Sequence, residues 1–131
     1  MNAAISSALS GLIAAAQRVS GVARNVANAG DTSRLDPQPG DPPSFVPVET
    51  VQSTTIDGGT VASFRPVTPA SVASYDPNSP LADANGLVAT PNVDLTSQAV
   101  DLIAARAAYT ANVKVLQVAT SLEDSLLKIT A

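Results

Sequence analysis

The sequence predicts a mainly α fold: two long terminal helices form an antiparallel, coiled-coil-like hairpin, joined by a short, proline-rich, partly β middle region. Two observations support this prediction. All ten prolines lie between Pro37 and Pro91, and proline is excluded from helix interiors because it lacks a backbone donor and clashes with the preceding turn. The proline-free ends repeat apolar residues at three- and four-residue steps, the period of an amphipathic helix. We expect one domain spanning residues 1–131.

The first predicted helix occupies residues 3–30. Its apolar residues form a heptad stripe that is sustained for more than three heptads. The stripe consists of Ile5, Leu12, Val19 and Val26, with Ala8, Ala15 and Val22 at intermediate positions. Asn28 and Gly30 predict the end of the helix, because both residue types tolerate a left-handed conformation there.

The middle region, residues 31–90, predicts loops and one β-hairpin. Ile56-Asp57-Gly58-Gly59-Thr60 is a turn signal between two candidate strands, residues 46–56 and 60–67. Four prolines within residues 34–44 predict an extended loop before the hairpin.

The last predicted helix occupies residues 92–130, and either Asn92 or Asp94 can cap its N-terminus. Arg106 lies on or beside its apolar stripe, where a long stem can cover apolar surface while the guanidinium stays at the edge. The stripe consists of Leu95, Ala99, Leu102, Ile103, Tyr109, Val113, Leu116, Ala119, Leu122, Leu126 and Ile129.

The composition argues against several classes of function. A net charge of −4 with no basic cluster argues against nucleic-acid binding. The chain has neither His nor Cys, so the commonest general bases, nucleophiles and zinc ligands are absent. Asp76, Asn78 and Asp83 lack the spacing of a calcium loop, and turn chemistry explains them better. We therefore expect no catalytic residues, no cofactor, no metal site and no small-molecule substrate.

The amino-terminal apolar run predicts neither a signal peptide nor a membrane span. It extends from Ala3 to Ala16, and the first basic residue, Arg18, follows it, whereas a secretory signal has its positive region first. Gly11 and several serines dilute the run below transmembrane hydrophobicity.

Aromatic residues make up only 3% of the chain, so a self-contained core would be thin. Burial contributes roughly 25 cal/mol per Å², and a stripe of Ala and Val gains more by close packing against other helices than by folding alone. An ordinary core helix of a monomer is the competing interpretation of the heptads.

Four motifs are less generic. Residues 75–95 read YDPNSPLADANGLVATPNVDL, and the residues that distinguish this run are Tyr75, Asp76, Pro77, Asp83, Gly86, Pro91 and Asn92. Residues 8–12 (ALSGL) and 23–29 (ARNVANA) form a pair of motifs in the first helix, and residues 106–112 (RAAYTAN) lie in the last. This set resembles the bacterial flagellar basal-body rod protein family, most closely its proximal rod subunits of the C type. The segments 29–33 and 42–46 depart from the family pattern.

The resemblance implies a structural subunit that polymerises through its terminal helices into the periplasm-spanning rod of the basal body and transmits torque. The implied partners are copies of itself, other flagellar rod proteins and membrane-ring or adapter proteins. It also implies passage through the flagellar type III export apparatus without a cleaved signal peptide. A subunit of another type III-secreted helical filament or needle is the alternative, and an ordinary cytoplasmic helical adaptor or minor enzyme is a further one.

We expect the assembly interface to lie on both terminal helices. Three of its residues have competing interpretations. Asn28 can serve the end of the helix, Tyr109 can be an anchor between the paired helices, and Arg106 can be an exposed residue at the edge. The predicted interface residues are Ile5, Leu9, Leu12, Val19, Val22, Val26, Asn28, Leu102, Arg106, Tyr109, Asn112, Val113 and Leu116.

Overall fold

Two helices and four strands make up the fold in the computed structural model, which describes residues 2–56 and 58–130. Helix α1 (Asn2–Ala27) has 26 residues and helix α2 (Leu95–Thr130) has 36. Between them lie β1 (Val48–Thr54), β2 (Thr60–Pro66), β3 (Ser71–Tyr75) and β4 (Leu87–Pro91). Within the described residues, neither helix has an apolar stretch long enough to cross a membrane.

The predicted fold class, a mainly α helical hairpin with a short connecting middle, was wrong. The helices account for just under half of the chain, and the middle region forms two antiparallel sheets of two strands each. Strands β1 and β2 both pack against α1, so α1 divides its buried surface between a helix and a sheet. A seven-residue repeat alone does not show which kind of element covers a helix.

Strands β1 and β2 form the hairpin that the glycine-rich turn predicts, paired from Val48 with Pro66 to Thr54 with Thr60. Gly58 has a positive φ of 80°, a conformation that glycine adopts without steric cost. Asp57 of the predicted turn lies outside the described residues.

The second sheet was not predicted. Strand β4 pairs with β3 on one side and, on the other, with Ser33 through two backbone hydrogen bonds of 2.9 Å between Ser33 and Ala89. The strands are short and lack regular alternation, and Pro91 ends β4. Their pairing therefore leaves little local signal in the sequence.

Asp94 is the residue that caps α2. Its carboxylate accepts hydrogen bonds from the Thr96 backbone N–H at 2.9 Å and the Ser97 hydroxyl at 2.7 Å. These bonds, the one from Ser97 foremost, hold the pKa of Asp94 below its ordinary value. The other candidate, Asn92, instead donates from Nδ2 to the Pro69 carbonyl at 3.0 Å.

Helix α1 ends without the left-handed residue that Asn28 and Gly30 predict. Among the described residues, positive φ occurs only at Gly40, Gly58 and Gly86. Asn28 instead donates from its side chain to the Arg24 carbonyl at 2.7 Å, so a side-chain hydrogen bond satisfies the end of the helix.

Small side chains fill the contact between α1 and α2. Arg18 pairs with Asp101, and Asn25 forms a hydrogen bond with Gln98, so the two helices run in opposite directions. Ala105 is fully buried. The other buried apolar residues of the two helices are Ala8, Ala14, Ala15, Val22 and Ala119. Alanine lets two helix backbones approach closely, but it buries little area per residue.

Gly11 and Asn112 are expected to set the register of this contact. A Cβ atom built on Gly11 would lie 2.7 Å from both the Nδ2 and the Oδ1 atoms of Asn112. Gly11→Ala should destabilise the chain by about 1–3 kcal/mol through overpacking, although alanine in a helix is otherwise favoured by about 1 kcal/mol. Adding Asn112→Ala should recover most of the loss, as measured by urea unfolding.

Gly30→Ala is the matched control for Gly11→Ala, because a Cβ atom added at Gly30 would have no neighbour within 4 Å. This control should change the unfolding free energy by less than about 0.5 kcal/mol. If Gly11→Ala proves as stable as the unaltered chain, this packing of the two helices is wrong.

Candidate assembly interface

The large apolar side chains of both helices lie mostly on the outside of the subunit. Ile13 on α1 is 62% exposed and Ile103 on α2 is 70% exposed. Other exposed apolar residues of the helices are Leu9, Val19, Val26, Leu95, Val100, Leu102, Tyr109, Val115, Val118, Leu122, Leu126, Leu127 and Ile129. Large exposed apolar surfaces are typical of proteins that associate with another molecule.

Helix α1 contacts both α2 and the hairpin. Gly11 faces α2, because a Cβ there would lie 2.7 Å from the Asn112 side chain, and Ala8, Ala15 and Val22 are buried. Gly21 faces the hairpin, because a Cβ there would lie 2.8 Å from Thr50 Oγ1 and 2.9 Å from a Phe64 ring carbon.

At the N-terminal part of α1, the Ser7 hydroxyl donates to the Gly58 carbonyl, and Ser10 Oγ accepts from the Thr60 backbone N–H at 3.1 Å. The hairpin thus lies along much of α1. Leu9, Ile13, Val19 and Val26 are exposed.

The predicted interface residues of α1 differ in exposure. Val19 and Val26 are exposed, whereas Ile5, Leu12 and Asn28 are half-buried. Val22 is buried within the subunit at 7% exposure, so its side chain belongs to the core that holds the subunit together. The heptad positions Ile5, Leu12, Val19 and Val26 therefore retain accessible surface, while the intermediate positions are used internally.

On α2 the predicted residues also differ in accessibility. Leu102, Arg106 and Tyr109 are exposed, whereas Val113 and Leu116 are half-buried. Asn112 lies against Gly11 and donates from Nδ2 to the Ala108 carbonyl at 2.9 Å, so it serves the contact between the two helices.

Asn25 is a structural residue that the predicted interface set did not include. It is 2% exposed. Its Oδ1 accepts from the Val48 backbone N–H at 2.9 Å, and its Nδ2 donates to the Val48 carbonyl at 2.7 Å. Nδ2 also donates to Gln98 Oε1 at 3.1 Å. One amide thereby joins α1, β1 and α2. The only sequence signal was its place in the motif of residues 23–29.

The motif of residues 75–95 proves to be a closed turn followed by β4. Asp83 Oδ1 accepts from the backbone N–H groups of Asn85 and Leu87, each at 2.8 Å. These bonds, the one from Leu87 foremost, lower the pKa of the Asp83 carboxyl. Gly86 has a φ of 76°, and a Cβ there would lie 2.9 Å from the Tyr75 ring. Aspartate and glycine are thus required by the turn itself.

Pro77, Pro91 and Asn92 of the same motif support the fold. Pro77 lies against Gly86, since its Cβ would be 3.1 Å from a Cβ atom added to that glycine. Pro91 is buried. Asn92 binds the segment before β3 through Pro69 and Ala70, which anchors the second sheet beside the start of α2.

Three ion pairs form among the described residues. Arg18 Nη2 lies 2.5 Å from Asp101 Oδ1, Arg34 Nε lies 3.5 Å from Asp41 Oδ2, and Arg65 Nε lies 2.6 Å from Glu49 Oε1. All six side chains retain solvent exposure, so each pair contributes little to stability. Arg24 stacks over Phe45 at 5.6 Å from the ring centroid. Among residues 2–56 and 58–130, no cluster of three or more acidic residues could hold a metal ion.

Comparisons with known proteins point to one family. The family model described as the flagellar basal body rod FlgEFG protein C-terminal matches residues 84–129. The flagellar basal-body rod protein FlgC of Salmonella typhimurium is 35% identical over 114 residues, which cover 86% of this chain and 85% of the relative. The FlgC protein of Yersinia enterocolitica is 38% identical with the same coverage. That of Agrobacterium fabrum is 31% identical over 98% of this chain and 94% of the relative.

Removing the Asn25 amide should destabilise the subunit more than any exposed helix substitution. Asn25→Ala leaves the Val48 backbone groups buried without partners, and each such group costs about 1–3 kcal/mol. Asn25→Asp keeps the shape but removes the donor, so an oxygen faces the Val48 carbonyl. Both variants should lower the urea midpoint of the purified chain.

Asn28→Ala is the matched control, because it removes a single exposed hydrogen bond from the same motif. A midpoint for Asn25→Ala equal to that of Asn28→Ala would contradict the role assigned to Asn25.

Proposed function

The chain belongs to the flagellar basal-body rod protein family whose members are named FlgC, and we propose that it polymerises through its terminal helices. The polymer forms the proximal part of the rod and transmits torque. It is a structural component of the basal-body rod. The observation that supports polymerisation most strongly is the inversion of its apolar residues: the helices bury alanine against one another and expose leucine, isoleucine and valine.

The exposed residues supply the driving force for assembly. Fully burying a Leu, Ile or Val side chain contributes about 1.5–3 kcal/mol. Leu9 and Ile13 on α1, with Ile103 and Val118 on α2, are each at least half exposed. When neighbouring subunits cover such residues, the assembly gains a stabilisation that the isolated subunit lacks. The stiffness needed to transmit torque then comes from many helix contacts acting together.

We further propose that the partners are copies of this chain, other rod proteins and membrane-ring or adapter proteins, with delivery through the flagellar type III export apparatus without signal cleavage. The role is mechanical and includes no catalytic step, which accords with a sequence that has neither His nor Cys. Another type III-secreted filament or needle would share the apolar helices, but it would not account for the similarity to FlgC proteins across the whole chain.

A deletion strain complemented with variants tests this function. The unaltered chain should restore hooks and swimming. Leu9→Asp combined with Ile13→Asp should reduce the number of hooks per cell at least about tenfold, because burying an unpaired carboxylate costs several kcal/mol and each 1.4 kcal/mol is a factor of ten. Immunoblots should show that the unaltered chain and the doubly substituted chain accumulate to similar levels in the cell.

Gln52→Asp is the control, since it adds a charge at an exposed position of β1 and should leave hook number unchanged. Full-length hooks and filaments in the deletion strain itself would contradict the proposed function.

A further inference from the structure

Helix α2 carries a shallow, open groove on its outer surface, lined by its own side chains. This α2 groove has a volume of about 540 Å³. Its floor is formed by the short side chains of Ala107 and Ala111, both exposed. The lining residues are Ile103, Arg106, Ala107, Thr110, Ala111 and Lys114. A floor this flat and apolar suits a planar ring.

Two cations border the α2 groove. Arg106 and Lys114 are eight residues apart, which places them about 12 Å apart along the helix axis. Neither forms an ion pair with any described residue, whereas Arg18, Arg34 and Arg65 are all paired. A partner that offers an aromatic ring next to a carboxylate would match both the floor and the edges of this groove.

The middle region of the chain offers that combination. Residues 31–90 contain seven acids and two arginines, and both arginines are paired with acids of the same region. The motif loop, residues 75–86, begins with Tyr75, which is 71% exposed. The exposed carboxylate of Asp76 follows and forms no ion pair with any described residue.

The motif loop is also rigid enough to dock as it stands. The Asp76 backbone N–H donates to the Gly86 carbonyl at 2.9 Å, and the Asp83 carboxylate closes the turn. The Tyr75 ring packs against Gly86. A loop that is already ordered loses little conformational entropy on binding.

We propose that the motif loop of one copy docks in the α2 groove of the next copy, with Tyr75 on the alanine floor and Asp76 between Arg106 and Lys114. This contact rests on the proposed rod function and identifies one way in which successive copies join. Loop and groove are different surfaces of the same chain, so repeating the contact produces a ring or an open filament, whereas a self-complementary patch would close into a dimer.

Disulfide trapping tests the contact directly, because the chain has no cysteine. Asn78→Cys in the motif loop and Thr110→Cys in the groove are introduced together at exposed positions, so that Tyr75, Asp76 and the alanine floor are kept. Basal bodies purified from the complemented deletion strain are oxidised mildly. A non-reducing gel should show a ladder of dimers and larger multiples of this chain that collapses on reduction. Gln52→Cys with Thr110→Cys is the matched control and should give no ladder.

Charge exchange provides a second test that does not depend on the cysteine variants. Lys114→Glu should lower the number of hooks per cell at least several-fold. Adding Asp76→Lys to the same chain should restore part of the loss, since every copy then carries both reversed charges.

The outcomes separate the contact from the function. If the doubly substituted chain is present in basal bodies but forms no ladder, the contact is wrong and the proposed function stands. If the unaltered chain is absent from basal bodies, both proposals fail. If adding Asp76→Lys does not raise the hook number of the Lys114→Glu chain, the proposed contact is also wrong.

Discussion

The close approach of α1 and α2 is the constraint on which the rest of the structure depends. Alanines, with Gly11 against Asn112, leave room for two backbones to pack tightly. The same choice means that the contact buries little apolar area. The larger apolar side chains consequently remain outside, and the subunit has an interior held by small residues and a surface suited to association.

Polar contacts supply the specificity that such a thin core lacks. A fully satisfied buried amide is costly to disrupt, so Asn25 specifies the positions of β1 and α2 relative to α1 through its bonds to Val48 and Gln98. At the other sheet, Asp83 and Gly86 determine the shape of the turn. The helices provide the exposed apolar surface, and Asn25, Asp83 and Gly86 determine how the elements around it are arranged.

The helices could be predicted from the positions of the prolines and the period of the apolar residues, and the first hairpin could be predicted from its glycine-rich turn. The faces of α1 could not, because Ala8, Ala15 and Val22 share a period with Ile5, Leu12, Val19 and Val26. Only the three-dimensional partners decide which set is buried. The pairing of β3 with β4 was missed because both strands are short and lack regular alternation, and the bridge from β4 to Ser33 joins residues distant in sequence. For the candidate site, residue types on exposed faces were predictable, whereas the internal roles of Val22, Asn25 and Asn112 required the structure.

We expect the outward apolar side chains of the helices to be covered in the rod and open in the free chain. Single cysteines at Leu9, Ile13 and Ile103 report this directly, through their rates of reaction with a water-soluble maleimide in the purified chain and in isolated basal bodies. All three should be labelled rapidly in the free chain and strongly protected in basal bodies, while a cysteine at Gln52 reacts readily in the free chain. Equal labelling of Leu9→Cys, Ile13→Cys and Ile103→Cys in both states would contradict this expectation.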